Sequence, residues 1–510
     1  MSRADIKKVV PQSTRLSLAT ALIVITAAVW MALCLGKPVH GDYYFRQGHV
    51  AANIEKFLEK GLSLAPSTYN RDIPFSLFDF PAYQFLVVAL CRALGSDPLV
   101  TARLVSILFF LGSAVYAYRI TSFCGAGPRI RALTLLFFSF SPLTLFYFHI
   151  PIVDGAVIFL SLLSFDSFLR WETEEKTTHF VSMVASGILA ALIKNPVYLA
   201  ILAAQAWYLL RRRGLSTVVR PAFLLHVTAI GAAVVSFKWF SNSVNGIDGI
   251  FAANEGQQFF GRLEDRWDVS SWSRIFWALS TQALTPVSSA LAVMGAAFYW
   301  ARSKSPHRSV MTSLLLGALV AELVFFNRHT WHAYYQLPFV LPLSFFAASG
   351  IDALMVFGRA LPRRIAIPWV ALVGGAVFLS LLQARASLEV RETNPTEWIA
   401  ENGRFIQEVT RPDDFVVYLL DTDDGRDWNP VFLYFAQRDG YNLTRARFGR
   451  RPQVLEGIRA RYDPEYARVF VFCPAALIGK LAPRLEALGA TAFATASPGS
   501  IYEMAPAGME

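Results

Sequence analysis

Cysteine is scarce in this chain, and so is charge. Four cysteines in 510 residues (Cys34, Cys91, Cys124 and Cys473) form no CxxC pair and no framework spacing, which excludes a structural disulfide network and a thiolate metal site. Only 16% of the residues are Asp, Glu, Lys or Arg, against 54% hydrophobic, and the mean hydropathy is +0.40. That balance excludes an ordinary soluble enzyme and points to a chain that lives in lipid. Acidic residues are the scarcer sign, 37 against 47 basic, for a net charge of +10. The basic excess does not read as a nucleic-acid surface, because it is cut into short clusters between apolar runs, where it acts as a topology signal.

What the chain has in abundance is apolar runs of spanning length. They occur near 16–36, 99–120, 130–148, 152–169, 219–240, 281–300, 309–326, 334–351 and 365–384. The first follows Arg3, Lys7, Lys8 and Arg15 as a signal peptide would, but it is too long for one and no small-x-small cleavage site follows, so it reads as an uncleaved helix. The stretch 180–210 is interrupted by Lys194-Asn195-Pro196. One straight helix would put Lys194 near the bilayer centre at a cost of roughly 2.5–3.5 kcal/mol, and the residue before a proline avoids helical geometry. A hairpin of two short helices turning at Lys194 removes both problems.

The hairpin also decides the topology. With a cytoplasmic N-terminus it brings Arg119/Arg129/Arg131, Arg170/Lys176, Arg211–Arg213, Arg302/Lys304/Arg308 and Arg359/Arg363/Arg364 to the inside, as the positive-inside rule requires. The expected fold class is an α-helical polytopic membrane protein of about eleven transmembrane helices with a C-terminal soluble α/β domain. Residues 1–384 form the membrane domain, with a first external loop at 37–98 and another at 241–280; residues 385–510 form the external domain. Within the first loop Phe80–Gly95 is apolar but short, and reads as an interfacial helix. The 241–280 loop reads as a lid over an external site. In the C-terminal domain Asp414–Leu420, Arg468–Cys473, Ala492–Ala496 and Ile501–Met504 read as strands and Leu477–Leu488 as a helix.

On this topology several ionisable groups return to one membrane face. Asp42 and Arg46 open the first loop and Asp79 lies further along it. Asp154 sits at a tight external turn, Lys194 at the next, and His332 and Tyr334 precede a later helix. Singly each has an ordinary reading: Asp42 and Asp154 as helix caps, Lys194 as a snorkelling cation, and Trp331/Tyr334/Tyr335 as an aromatic belt. Together they suit an anionic, lipid-linked substrate. His329 and His332 lack an acidic partner or third ligand for zinc. Asp421-Thr-Asp423 looks like a nucleotide-sugar DxD site, but the domain is too short for that fold and faces away from the cytosol. The same stretch fails as an EF-hand, because Gly425 and Phe432 stand where ligands are needed. Asn442-Leu-Thr444 matches a glycosylation sequon.

Five stretches carry a family resemblance in order over about 40–350: GDYYFRQ, FDFPAYQFLVVAL with its following TARL, SPLTLFYFHIPIVD, ALIKNP, and HAYYQLPFVLPLSFFAASG. The chain resembles the GT-C glycosyltransferases, family 39-like, the bacterial relatives of protein O-mannosyltransferase and of the lipid A aminoarabinose transferase. It departs from their commonest form in having Asp42-Tyr43 where a paired Asp-Glu is usual, which leaves the base open between Asp42 and Asp154. The resemblance implies inverting sugar transfer from a polyprenyl-phosphate donor to a glycolipid, polysaccharide or protein acceptor at the outer face of a bacterial inner membrane. It implies Asp42 and Asp154 as catalytic carboxylates, Arg46, Lys194, His332 and Tyr334 as donor phosphate ligands, and Asp79 as an acceptor-side loop residue. The leaving phosphate is already ionised and can be met by Arg and Lys, so no metal or other cofactor is expected, nor a nucleic-acid partner. The competing reading is a transporter or flippase for a lipid-linked anion. Few ionisable residues within the spans (Asp166 and Glu322 are the main acids) and no paired broken helices argue against it.

Overall fold

Apolar segments in lipid must satisfy their backbone hydrogen bonds internally, which leaves helix as the available form for runs of this length. The computed structural model describes residues 17–71, 80–244, 259–302, 309–359, 361–393, 396–421, 429–450, 453–462 and 466–504. The chain divides into two units: Met1–Gly36 with Val100–Arg391, and Lys37–Leu99 with Glu392–Glu510. The stretch expected as the first external loop is thus grouped with the C-terminal segment, a pairing of distant stretches that the sequence expectation of separate 1–384 and 385–510 domains did not contain.

The first unit is a polytopic helical membrane fold. Among the described residues five helices are long and apolar enough to cross a bilayer, or six if the pair Val269–Ala283 and Pro286–Ala301, bent by 99°, is one broken span. That is fewer than the roughly eleven crossings expected. Part of the difference is that Leu18–Ala32 and Ser309–Val324 are apolar but short. Another part lies in the helix Thr177–Arg213, which is interrupted at Lys194 (φ −157°, ψ 86°).

That interruption reverses the chain. The Ser164 hydroxyl lies 3.0 Å from the Met183 carbonyl on the first arm, and 2.9 Å from the Tyr198 hydroxyl and 3.5 Å from the Gln205 amide on the second. A straight helix would hold positions 183 and 205 about 33 Å apart at 1.5 Å per residue. Arg213 also comes back to Glu172, 3.4 Å away, while Lys176 pairs with Glu174 at 2.6 Å. Arg119 and Arg170 share Asp166, and Arg129 reaches Asp352 near the far end of Leu337–Arg359. The basic clusters therefore gather with acidic partners at one end of the bundle, and Lys194 lies at the opposite end. Small residues let the helices approach closely, as lipid-embedded packing favours. Gly295 and Gly350 leave room for each other's helix, where a Cβ would run into the Phe346 and Leu291 carbonyls.

The second unit is built on a five-stranded sheet, order β2-β1-β3-β5-β4, formed by β1 (Phe415–Leu420), β2 (Gly440–Thr444), β3 (Val469–Pro474), β4 (Ala490–Ala496) and β5 (Gly499–Met504). β1 runs parallel to β2 and β3, and β5 antiparallel to β3 and β4. Strand alternation splits β1 between two cores. Phe415, Val417 and Leu419 pack with the helix Ala475–Glu486, and Val416, Tyr418 and Leu420 pack with Val39, Ala52 and Tyr69 of the first loop. The loop also extends the sheet: Gly440 donates to the Tyr69 carbonyl (2.9 Å), Arg71 donates back to Gly440 (2.8 Å), and Asn70 forms a parallel bridge to it. Lys56 in the helix Tyr44–Lys60 pairs with Asp439 at 2.8 Å, and Arg71 with Asp439 at 3.3 Å.

Four expected strands and one helix are present with shifted ends, the helix continuing through Pro483. β2 was not expected. It contains Asn442, which is fully buried and donates to the Asn429 carbonyl, so the sequon is shielded in the folded domain. The apolar loop segment is the short helix Ala82–Leu94. Most of the Asp421–Asp427 stretch lies outside the described residues.

Candidate functional site

Lys194 is held at the hairpin tip, where the break in helical geometry at the residue before Asn195-Pro196 turns its side chain among groups from two other segments. Its ammonium donates to the Asp154 carboxylate at 2.6 Å. Asp154 opens the helix Asp154–Glu174, and both residues are buried, at 6% and 4% exposure. The same ammonium lies 3.7 Å from the centre of the Tyr334 ring and 4.9 Å from that of Tyr335. His332 stacks on Tyr334 at 5.2 Å with a 10° interplanar angle, and Tyr147 meets Tyr334 edge-on at 5.9 Å. Here a buried cation lies beside a carboxylate and an aromatic wall. It is chemically suited to exchanging that partner for another anion.

His329, on the short helix Phe326–Trp331, is buried, and burial pushes its imidazole down to about 3, so it stays neutral near pH 7. Below this cluster lies a small apolar cleft. Ile158, Val197 and Leu337 line it, three or four positions after Asp154, Lys194 and Tyr334 respectively, so it opens one helical turn deeper into the bundle. Ser161 is its polar lining residue.

In the second unit Asp42 sits on a tight turn between Gly41 (φ 72°) and Tyr43 (φ 56°). A left-handed tyrosine is uncommon, and such backbone persists where surrounding contacts hold it. Gln47, fully buried, supplies one: its amide donates to the carbonyls of His40 (2.6 Å) and Asp42 (3.3 Å). Arg46 lies in the first turn of Tyr44–Lys60. Packing around half-buried His49, with the Arg46 charge beside it, lowers that imidazole to about 3 and leaves Arg46 as the cation of this turn.

Of the residues expected at a site, the structure brings Asp154, Lys194, His332 and Tyr334 into one cluster, and Asp42 and Arg46 onto one turn. Asp79 lies outside the described residues. Sequence reasoning passed over Tyr335 and Tyr147 as contributors to the cluster, though both lie inside the quoted motifs. It also passed over Gln47, whose only signal was its place five residues after Asp42.

No protein-family model matches the sequence, and no curated protein matches it either. Solved structures do. ArnT from Cupriavidus metallidurans, bound to undecaprenyl phosphate, superposes with a TM-score of 0.68 at 13% identity, over 95% of this chain and 97% of that one. The chain has the fold of ArnT. The archaeal oligosaccharyltransferase AglB from Archaeoglobus fulgidus, in complex with an inhibitory peptide and a dolichol-phosphate, matches at a TM-score of 0.55 and 11% identity, over 89% of this chain and 69% of that one. The mycobacterial arabinofuranosyltransferase AftD matches at 0.55 and 12%, over 95% of this chain and 41% of that one. The shared fold covers nearly the whole of this chain and of ArnT, so the likeness extends beyond the helices to the C-terminal mixed sheet.

Proposed function

We propose that this protein is a membrane glycosyltransferase that moves a sugar from a polyprenyl-phosphate donor to an acceptor hydroxyl, with inversion at the anomeric carbon. The observation that carries the proposal is the buried Lys194 ammonium, held by Asp154 and the Tyr334 ring directly above an apolar cleft. A lipid phosphate needs both parts: a cation for its head and a dry, apolar space for the first units of its tail. The two solved relatives named above with a lipid phosphate, undecaprenyl phosphate in one and dolichol-phosphate in the other, support that choice of donor.

In this reading Lys194 leaves Asp154 for the donor phosphate, assisted by Arg46, while His332 and Tyr334 form the wall against which the phosphate rests. Asp42 takes the proton of the acceptor hydroxyl as that oxygen attacks the anomeric carbon. The bond from that carbon to the phosphate oxygen breaks, and polyprenyl phosphate departs with its charge met by Lys194. The pairing of Asp154 with Lys194 favours Asp42 as the base and Asp154 as the group that orients the lysine. Asp79 belongs to the acceptor side. The positive-inside rule, applied to the basic clusters at the opposite end of the bundle, supports a reaction at the outer face and a C-terminal segment outside the cell membrane.

The test is transfer of labelled sugar from polyprenyl-phosphate donors in membranes carrying wild-type, Asp42→Asn or Lys194→Ala protein. Loss of a general base should cost about 10²–10⁴-fold in turnover for Asp42→Asn with donor binding retained. Lys194→Ala should weaken donor binding as well. Wild-type transfer by both variants would remove the assignment.

A further inference from the structure

The sequence reading took 241–280 as a soluble lid, but its later half has the wrong face exposed for that role. In the helix Val269–Ala278 the buried residues Ser271, Ile275 and Ala278 lie on one side. The opposite side carries Val269, Phe276 and Trp277, exposed at 80%, 62% and 59%, with only Ser273 between them. A soluble helix turns its polar residues outward; this one turns its apolar residues away from the protein. Two further facts fix where it lies. The segment Val269–Ala283 meets Pro286–Ala301 at 99°, so if the latter crosses the bilayer, the former runs along its plane. The bend has a local cause: Leu284 is extended, and Pro286 starts the next helix.

Its depth is set by Arg266, just before the helix. That guanidinium donates to the carbonyl of Leu323 at 3.2 Å and to that of Val324 at 3.5 Å, the end of the helix Ser309–Val324. Trp272 donates to the Arg266 carbonyl at 2.7 Å and packs edge-on against Phe326, while Arg274 lies over the Trp331 ring at 4.6 Å. At the other end of the segment the Ala283 carbonyl accepts from Ser141. The helix is thus tied to the ends of membrane helices on the same side of the bundle as Lys194.

We propose that Val269–Ala278 is an in-plane helix whose outward face, Val269, Phe276 and Trp277, is buried in the headgroup–acyl boundary of the bilayer, where such rings partition. In the following helix Val293 is also an exposed apolar residue. Its partner is the phospholipid surface. This holds whether or not the protein transfers sugars.

Spin labelling of the full chain in phospholipid nanodiscs tests it. The native cysteines are buried, so single introduced thiols can be labelled selectively. Labels at Phe276→Cys and Val269→Cys should collide with oxygen as readily as one at Val293→Cys, and severalfold less with a water-soluble nickel chelate than one at exposed Glu401→Cys. Two positions are used so that a fold defect in one does not decide the result. Labels that behave like Glu401→Cys would overturn the proposal in favour of a soluble lid. Oxygen contact that deepens steadily from Val269 to Thr281 would overturn it in favour of a descending half-span.

Discussion

Replacing Asp154 with Asn takes the carboxylate away from the buried Lys194 ammonium. At 2.6 Å, two unit charges in an effective dielectric of 20 attract by about 6 kcal/mol before desolvation is counted. Removing one partner of a buried pair costs about 3–5 kcal/mol. The Asn oxygen can still accept from Lys194, and the Tyr334 ring continues to attract it, so about 3 kcal/mol is expected, and the thermal midpoint of the protein in detergent should fall by several degrees. The double variant Asp154→Asn/Lys194→Met removes the buried cation as well, in a volume-conserving way, so most of that loss should return. Transfer activity should not return with it, because the cation proposed for the donor phosphate is gone. The two readouts, midpoint by intrinsic fluorescence and turnover with labelled donor, therefore separate. A single variant as stable as wild type would refute the buried-pair reasoning. A double variant that regains activity along with stability would refute the role given to Lys194.

Burial raises the Glu55 carboxyl to about 7, against lowering by the Tyr69 hydrogen bond and Lys56. Between its ordinary value and about 7 the folded state keeps a proton that the unfolded state has lost, so this group's contribution falls as pH rises through that window and is flat above it. Relative to wild type, Glu55→Gln should gain stability between pH 5 and pH 8, and a constant difference across that range would contradict the assignment. Lys56→Met removes one of the two cations on Asp439, Arg71 being the other, and should loosen the first loop from the sheet by about 1–3 kcal/mol, seen as faster proteolysis of the C-terminal unit; unchanged cleavage would show that the pair does not anchor the loop. A reporter fused after Arg213 should report the cytoplasm and one fused at the C-terminus the outside, and a cytoplasmic C-terminus would reverse the proposed orientation.

The Lys194 turn was legible because two independent rules, the penalty on a buried lysine and the bias before proline, fell on one residue. The cluster around it was legible as a set of loops returning to one face, but not as contacts. That Lys194 would take both Asp154 and Tyr334 depends on the tilt of three helices, which no local pattern encodes. The strands β1 and β3 announced themselves as continuous β-branched and aromatic runs. β2 did not, because Gly440-Tyr-Asn-Leu-Thr444 is short and polar, and it is a strand through pairing with β1 and with Asn70. The grouping of Lys37–Leu99 with the C-terminal segment was invisible for the same reason. Lys56–Asp439 and Tyr69–Gly440 join distant positions, and neither partner carries a mark of the other. The exposed face of Val269–Ala278 was written in the sequence as Val269, Phe276 and Trp277, but read as loop because the preceding residues are polar.

The bridge between Asn70 and Gly440 also has a consequence for how the protein is made. A ribosome produces the turn bearing Asp42 early and β2 late, so during most of synthesis that turn lacks the sheet edge and the Lys56 partner that later hold it. The segment that carries the turn meets these partners, through Lys56 and Asn70, only after the C-terminal sheet has been delivered. Completion of the chain thus works as a checkpoint on the first loop: a nascent or prematurely stopped product would lack Asp439 and Gly440, and the contacts they make with Lys56, Asn70 and Arg71 would be unmade.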